Sequence, residues 1–347
     1  MKKYFSCIPY SKGYCCAFNS IYKRDISSRI FIVQDGDNFE RASFFEQLTQ
    51  SLKGYDLTLF NPFYDESIDG IYIKDFNTYI LSDDGYNRIS PVLPNIWEKY
   101  YSIVGEKQYP QTIVKEFLIH KDKEKIHYKS GCDYLQKATS VKDKIHYEIS
   151  KYLIDEKLLN FISRICSRAF RNNTTHGGGT IRLLSSPTPL GIHTHYDTIF
   201  STCEKIIDIN DASSFVSAII MGVIKDYATS EKVPFIMSPS YFANEIPQFL
   251  IFPTISLAIT VSNKNHILPF EPTEKINVQR FLSSDTALKS EKINALLSTE
   301  NKMLEKAIFC FYEGRDERFQ ANSLIYDYTN LEEAKNSADR LVEKLLN

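Results

Sequence analysis

At 347 residues, 43% hydrophobic and 24% charged, the chain has a globular composition, which excludes a disordered or fibrous polypeptide and leaves room for two cores at roughly 150 residues each. The formal net charge of −2 is spread over interspersed acids and bases, which argues against a nucleic-acid surface as the main function. No apolar run is long enough to span a bilayer, and MKKYFSCIPYSKG lacks the apolar core of a secretory signal, so a cytoplasmic setting without membrane partners is expected.

The seven cysteines, Cys7, Cys15, Cys16, Cys132, Cys166, Cys203 and Cys310, form no C-x-x-C, so neither a disulfide framework nor a zinc motif is supported. No His or Asp spacing accompanies Cys15 and Cys16 to activate a thiol, and with Cys7 they read as small buried residues. Ile30-Phe31-Ile32-Val33 is a continuous, β-branched run, the signature of a strand covered on both faces. Residues 34–38 are turn-forming, and Phe44, Phe45, Leu48 and Leu52 then recur at the spacing of one helix face. Strand, tight turn and helix in this order make the frame of a phosphate-binding loop.

The residues of such a loop are missing. Laid over G-x-x-x-x-G-K-[ST], its four fixed places fall on Asp35, Glu40, Arg41 and Ala42, with Gly36 inside the loop and Ser43 one position late. Carboxylates replace both glycines, a methyl replaces the Mg²⁺ hydroxyl, and only Arg41 keeps a positive charge. Further on, LTLFNPFY (57–64) reads as a strand and YDESIDG (64–70) as a solvated acidic loop rather than a Mg²⁺ site. Residues 132–170 show helical spacing, HGGGT (176–180) reads as a linker, and residues 289–345 are again helical.

An internal repeat runs through these elements. GYCCAFNSIY (13–22) lies over GIHTHYDTIF (191–200) at an offset of 178, and residues 29–48 lie over 205–224 at 176, with Asp35 on Asp211 and Ala42 on Ala218. Residues 57–64 then lie over 233–241, and 67–83 over 245–261 at 178, with Leu81 on Ile259. The helical tails share KDKIHYEISKY with RDERFQANSLIY. In the second loop the phosphate-loop places fall on Asp211, Val216, Ser217 and Ala218, so that copy is degenerate too. GIHTHYD carries an H-x-H, His193 and His195, whose spacing on a strand permits a shared metal; the repeat sets them on Cys15 and Ala17, which favours a structural role.

The tandem order of KGYCCAFNSIY, RIFIVQDGDNFERASFF, YDESIDGIYIKDFNTYIL and their second-half partners resembles a little-characterised bacterial family of duplicated P-loop ATPase-like proteins. The resemblance spans the chain from about Tyr10 onward. It implies an α/β fold of two P-loop NTPase-like domains from an internal duplication, each a parallel sheet with flanking helices followed by a helical extension, at residues 1–175 and 176–347. The nucleotide-binding places it implies are Asp35, Gly36, Glu40, Arg41, Ala42 and Ser43 in the first loop and Asp211, Ser217 and Ala218 in the second. Typical members carry a full Walker A sequence in each half; this chain departs there twice. The expectation is a pseudo-NTPase without cofactor that binds a protein partner or a second copy of itself; a nucleotide-dependent enzyme, an ATPase or nucleotide kinase using Mg-ATP, is the alternative.

Overall fold

A computed structural model describes residues 1–21, 27–83, 86, 89, 93–171, 174–283 and 290–346; Tyr22 and Lys289, which end and begin expected segments, lie outside them. In the first half, β1 (Lys2–Phe5) leads into a hairpin of β2 (Cys7–Tyr10) and β3 (Gly13–Cys16), a short α1 (Phe18–Ile21), β4 (Arg29–Val33) and α2 (Asn38–Ser51). Then follow β5 (Leu57–Asn61), β6 (Gly70–Ile73), β7 (Thr78–Ser82), β8 (Glu98–Tyr101), the long α3 (Gln111–Ser150) and α4 (Asp155–Phe170). The second half repeats the series: β9 (Gly179–Ile181), a hairpin of β10 (Ser185–Thr188) and β11 (Gly191–Thr194), α5 (Tyr196–Phe200), β12 (Lys205–Asn210) and α6 (Phe215–Ser230). It continues with β13 (Phe235–Pro239), β14 (Pro247–Phe252), β15 (Leu257–Ser262), β16 (Glu274–Asn277), α7 (Glu291–Ile325) and α8 (Leu331–Leu346).

Each half builds a six-stranded sheet, β1-β5-β6-β7-β4-β8 and β9-β13-β14-β15-β12-β16, the same order of equivalent strands. The sense is also the same. β6 and β14 run antiparallel to both neighbours, and all other pairs are parallel. The sheets are therefore mixed rather than wholly parallel. The reason is the connection from β6 to β7, a single 3-10 turn (Lys74–Phe76) closed by left-handed Asn77, too short for a parallel crossover. The second half makes the same turn (Pro253–Ile255) with left-handed Ser256. Asn77 and Ser256 both accept the first N–H of the preceding β/α unit, from Arg29 and Lys205. This sets the local offset at 179, so Leu81 lies over Thr260 and the one-residue slip in the sequence register is corrected.

The layers are built crosswise. The inner faces of the two sheets share one core, with Ile30, Ile32, Phe60 and Leu81 of the first meeting Ile206, Phe249, Ile251 and Ala258 of the second. The outer face of the first sheet is covered by α2 and by α8, whose Ala334, Ala338, Leu341 and Leu345 pack with Phe44, Phe45 and Leu48. The outer face of the second is covered by α6 and by α4, through Leu158, Phe161, Ile162 and Ile165. Each half thus lends its last helix to the other, and every central strand is buried on both sides, as its uninterrupted apolar sequence demands.

The helical region read at residues 132–170 is made of two helices, α3, which starts earlier at Gln111, and α4, separated at residues 151–154. α3 and α7 run antiparallel against each other. Their buried positions coincide at an offset of 176: Glu124, Tyr128, Gly131, Leu135, Ala138, Lys142, Ile145 and Ile149 against Glu300, Leu304, Ala307, Phe311, Gly314, Arg318, Ala321 and Ile325. The tail motif accordingly aligns Lys142 with Arg318 rather than with Arg315. HGGGT is part of the fold: Gly179 and Thr180 pair with β13 as an edge strand, and a Cβ on Gly179 would sit 2.3 Å from the Phe235 ring. In YDESIDG, Asp65 and Glu66 are exposed as expected, whereas Asp69 is buried and accepts the Ser6 hydroxyl at 2.8 Å.

Candidate functional site

Each strand-to-helix loop turns a carboxylate onto backbone amides in or just before the first turn of its helix. In the first, Asp37 is the N-cap of α2 and its Oδ1 accepts the N–H of Phe39 and Glu40 at 2.9 and 3.0 Å. Glu40 reaches back, its Oε2 accepting the Asp37 N–H at 2.9 Å, which completes a capping box. In the second, Asp211 is fully buried and accepts the N–H of Ser213 at 3.0 Å and of Ser217 at 2.8 Å. The amides that a phosphate would use in such a frame are bonded to the chain's own carboxylates.

The other loop residues are also engaged. Asp35 does not match its counterpart Asp211; it holds the 102–105 segment, accepting the Ile103 N–H at 2.7 Å, the Gly105 N–H at 3.2 Å and the Ser102 hydroxyl. Gly36 stands at φ +81°, and a Cβ there would meet Ile103 at 2.6 Å. Buried Glu40 also accepts the Asn330 N–H at 2.6 Å and is paired with Lys107, which reaches Asp37 at 3.0 Å. Burial pulls the Lys107 ammonium down, but the bonds to Glu40 and Asp37 outweigh it and leave its pKa raised. Arg41 donates to Gly36 O at 2.9 Å, Asp83 O at 3.1 Å and Ser82 Oγ at 3.3 Å. Ala42 sits half-buried; Ser43 and Ser217 are buried with hydroxyls that meet no partner among the described residues, and Ala218 borders a small cavity in the second half.

A cavity of about 520 Å³ opens beside the first loop, between Gly36, Asp37 and Arg41, the 104–109 segment and the paired helices α3 and α7. Its cations are Arg41, Lys107, Lys121 and Arg318, and all four are tied to neighbours. Arg318 donates to Glu124 at 3.0 Å and to Asn38 at 3.0 Å and lies 3.8 Å over the Tyr64 ring; Lys121 pairs with the same Glu124. Val114, Phe117, Leu118 and Ile325 make the remaining wall apolar. At the equivalent place in the second half only about 60 Å³ is open, bordered by Ser214, Ser217, Ala218, Lys142 and His146. There Lys142 bonds Glu300 at 3.1 Å, the counterpart of the Arg318–Glu124 pair.

Sequence reasoning found the loops but missed Lys107, Lys121, Glu124 and Arg318. A signal for two of them exists. Each long helix carries an acid and a base 18 residues apart, Glu124 with Lys142 and Glu300 with Arg318, which is five full turns and places both on one face.

His193 and His195 do come together, ring centroids 4.9 Å apart, but against Phe5 rather than acidic ligands. Burial, then the charges of His193 and Lys3, pushes His195 down to about 3, and burial also lowers His193. Among the described residues no group of three or more His, Cys, Asp or Glu side chains is placed to hold a metal ion, and no helix is long and apolar enough to cross a membrane.

No protein-family model, no curated protein and no solved structure matches this chain. The site best defined by position is the pair of carboxylate-filled loops and the cavity beside the first.

Proposed function

We propose that the chain is a duplicated P-loop-like scaffold, without nucleotide turnover, that acts by binding a protein partner or a second copy of itself. The observation that carries this reading is the carboxylate at both helix starts: Asp37 and Asp211 fill the positions where phosphate oxygens would accept N–H bonds. Ala42 and Ala218 offer no metal ligand at the Mg²⁺ places, and the basic residue at the first Lys place, Arg41, is turned onto backbone carbonyls. Matching strand order in the two sheets and a shared 176-residue offset in the helices support descent by duplication. Exposed Phe309 and Phe319 on α7 and Ile119 and Ile126 on α3 give the paired helices apolar contact points.

Thermal unfolding with and without millimolar Mg-ATP or Mg-GTP tests the reading, because a ligand at a hundredfold its Kd adds about 2.7 kcal/mol of stability. No shift and no phosphate release are expected, with light scattering at micromolar concentration showing a dimer or a pull-down returning a defined partner. The cavity beside Arg41 favours a second reading, an anionic small molecule or nucleotide used by an enzyme. Turnover that disappears in Arg41→Ala would select that alternative.

A further inference from the structure

We propose that Cys7 and Cys16 are a redox-modifiable pair that closes to a reversible disulfide across the first hairpin. The two residues face each other directly in the antiparallel register of β2 and β3, with Sγ atoms 2.7 Å apart. Pro9, two residues from Cys7, faces Tyr14 and has no N–H to give, so that pair belongs to the non-hydrogen-bonded type, and Cys7–Cys16, one full alternation away, belongs to it as well. Such pairs bring Cα atoms to about 4.5 Å, inside the range a disulfide spans.

The second hairpin supports the geometry independently. At the offset of 178 the counterparts of Cys7, Pro9 and Cys16 are Ser185, Pro187 and Thr194, in the same register. There the facing side chains already meet, with the Thr194 hydroxyl 2.9 Å from the Ser185 hydroxyl. One site thus occurs twice, with hydroxyls in one copy and thiols in the other.

Oxidation needs an acceptor, which a low-molecular-weight disulfide such as glutathione disulfide supplies. Cys7 is buried and Cys16 is only partly buried, so the Cys16 thiolate attacks first, forming a mixed disulfide and releasing one glutathione thiolate. The Cys7 sulfur then displaces the second glutathione. Two electrons pass from the protein sulfurs to the oxidant, and the two thiol protons leave to the released thiols. Cys15 is the competitor in sequence, but burial, then its neighbour Cys16, pushes its thiol up to about 11, and it faces Ile8 rather than a cysteine. In the reduced state both thiols point at the Tyr86 carbonyl, at 3.2 Å from Cys16 and 3.9 Å from Cys7. The Tyr86 hydroxyl in turn donates to Glu124, the carboxylate that holds Lys121 and Arg318 in the wall of the large cavity, so the bond withdraws two S–H donors from a residue two contacts from that wall.

The test treats the full chain with glutathione disulfide, blocks remaining thiols with iodoacetamide and digests with trypsin without reduction. Lys12 lies in the hairpin turn between the two cysteines, so cleavage there leaves peptides 4–12 and 13–23 joined only by the disulfide. The expected result is that joined mass, two of the seven thiols protected, release by dithiothreitol, persistence in Cys15→Ser and loss in Cys16→Ser. A double variant carrying the other hairpin's residues, Cys7→Ser with Cys16→Thr, should fold, match the reduced wild type in melting temperature and show no upward shift on oxidation. Alkylation of all seven thiols, a glutathione adduct that persists on Cys16, or a Cys15–Cys16 bond with Cys7 alkylated would overturn the proposal.

Discussion

A carboxylate at the start of a helix offers the same oxygens to the same amides as a bound phosphate, and it is attached to the chain. Asp211 is fully buried in this role, so its removal strands two N–H donors. Asp211→Ala should cost about 1–3 kcal/mol of stability in urea unfolding and still not create nucleotide affinity. Arg41→Ala should cost about 1–2 kcal/mol for its lost carbonyl contacts, a loss that a spent phosphate ligand would not cause. Acid sensitivity belongs to this scale as well. Burial first, with nearby positive charge second, holds His195 down to about 3 and His266 down to about 4, while both protonate near 6.5 in the unfolded chain. Their stabilising contribution is therefore complete above pH 6.5 and is lost as the pH falls toward the folded values. At pH 5 each should have withdrawn about 2 kcal/mol, and the imidazole C2–H resonances of both should show no protonation down to that pH. The sequence displayed the degenerate loop residues plainly. It did not display their partners, because Lys107 and Asn330 reach Glu40 from 67 and 290 positions away.

Between α3 and α7 the repeat has been varied in complementary pairs. A Cβ on Gly314 would lie 2.2 Å from the Tyr128 ring and one on Gly131 2.2 Å from the Phe311 ring. The equivalent positions are Ala138 with Leu304 and Ala307 with Leu135: a small residue opposite a large one each time, with glycine wherever the large one is aromatic. Gly314→Ala alone should destabilise by about 1–3 kcal/mol through overpacking. Adding Tyr128→Leu, which copies the other half's combination, should recover most of that loss, and equal loss in single and double variants would refute complementary packing. At this scale the sequence was readable where elements are buried on both faces or strongly periodic, as for β4, β12 and α6. β9 was not readable, because Gly179-Thr180 carries too little apolar surface to signal a strand and is held by an edge ladder.

The whole molecule is fastened by helices that cover the other half's sheet. An amphipathic helix announces in its spacing that it must pack but not on what, so the exchange of α4 and α8 had no sequence signal. It predicts one cooperative unfolding transition by calorimetry rather than two. Residues 1–175 and 176–347 produced separately should each expose an uncovered sheet face and aggregate, and produced together they should assemble into a folded pair; two independently stable fragments would refute this. The exchange also makes synthesis asymmetric. When β16, the last strand of the second sheet, leaves the ribosome, α4 is already made and can cap that sheet at once. α2, with Phe44, Phe45, Leu48 and Leu52 on its apolar face, must wait for α8, which at ordinary elongation rates means roughly 15–60 s. During that interval the nascent first half carries an open apolar face, and it is there, rather than in the second half, that a chaperone would be expected to hold the growing chain.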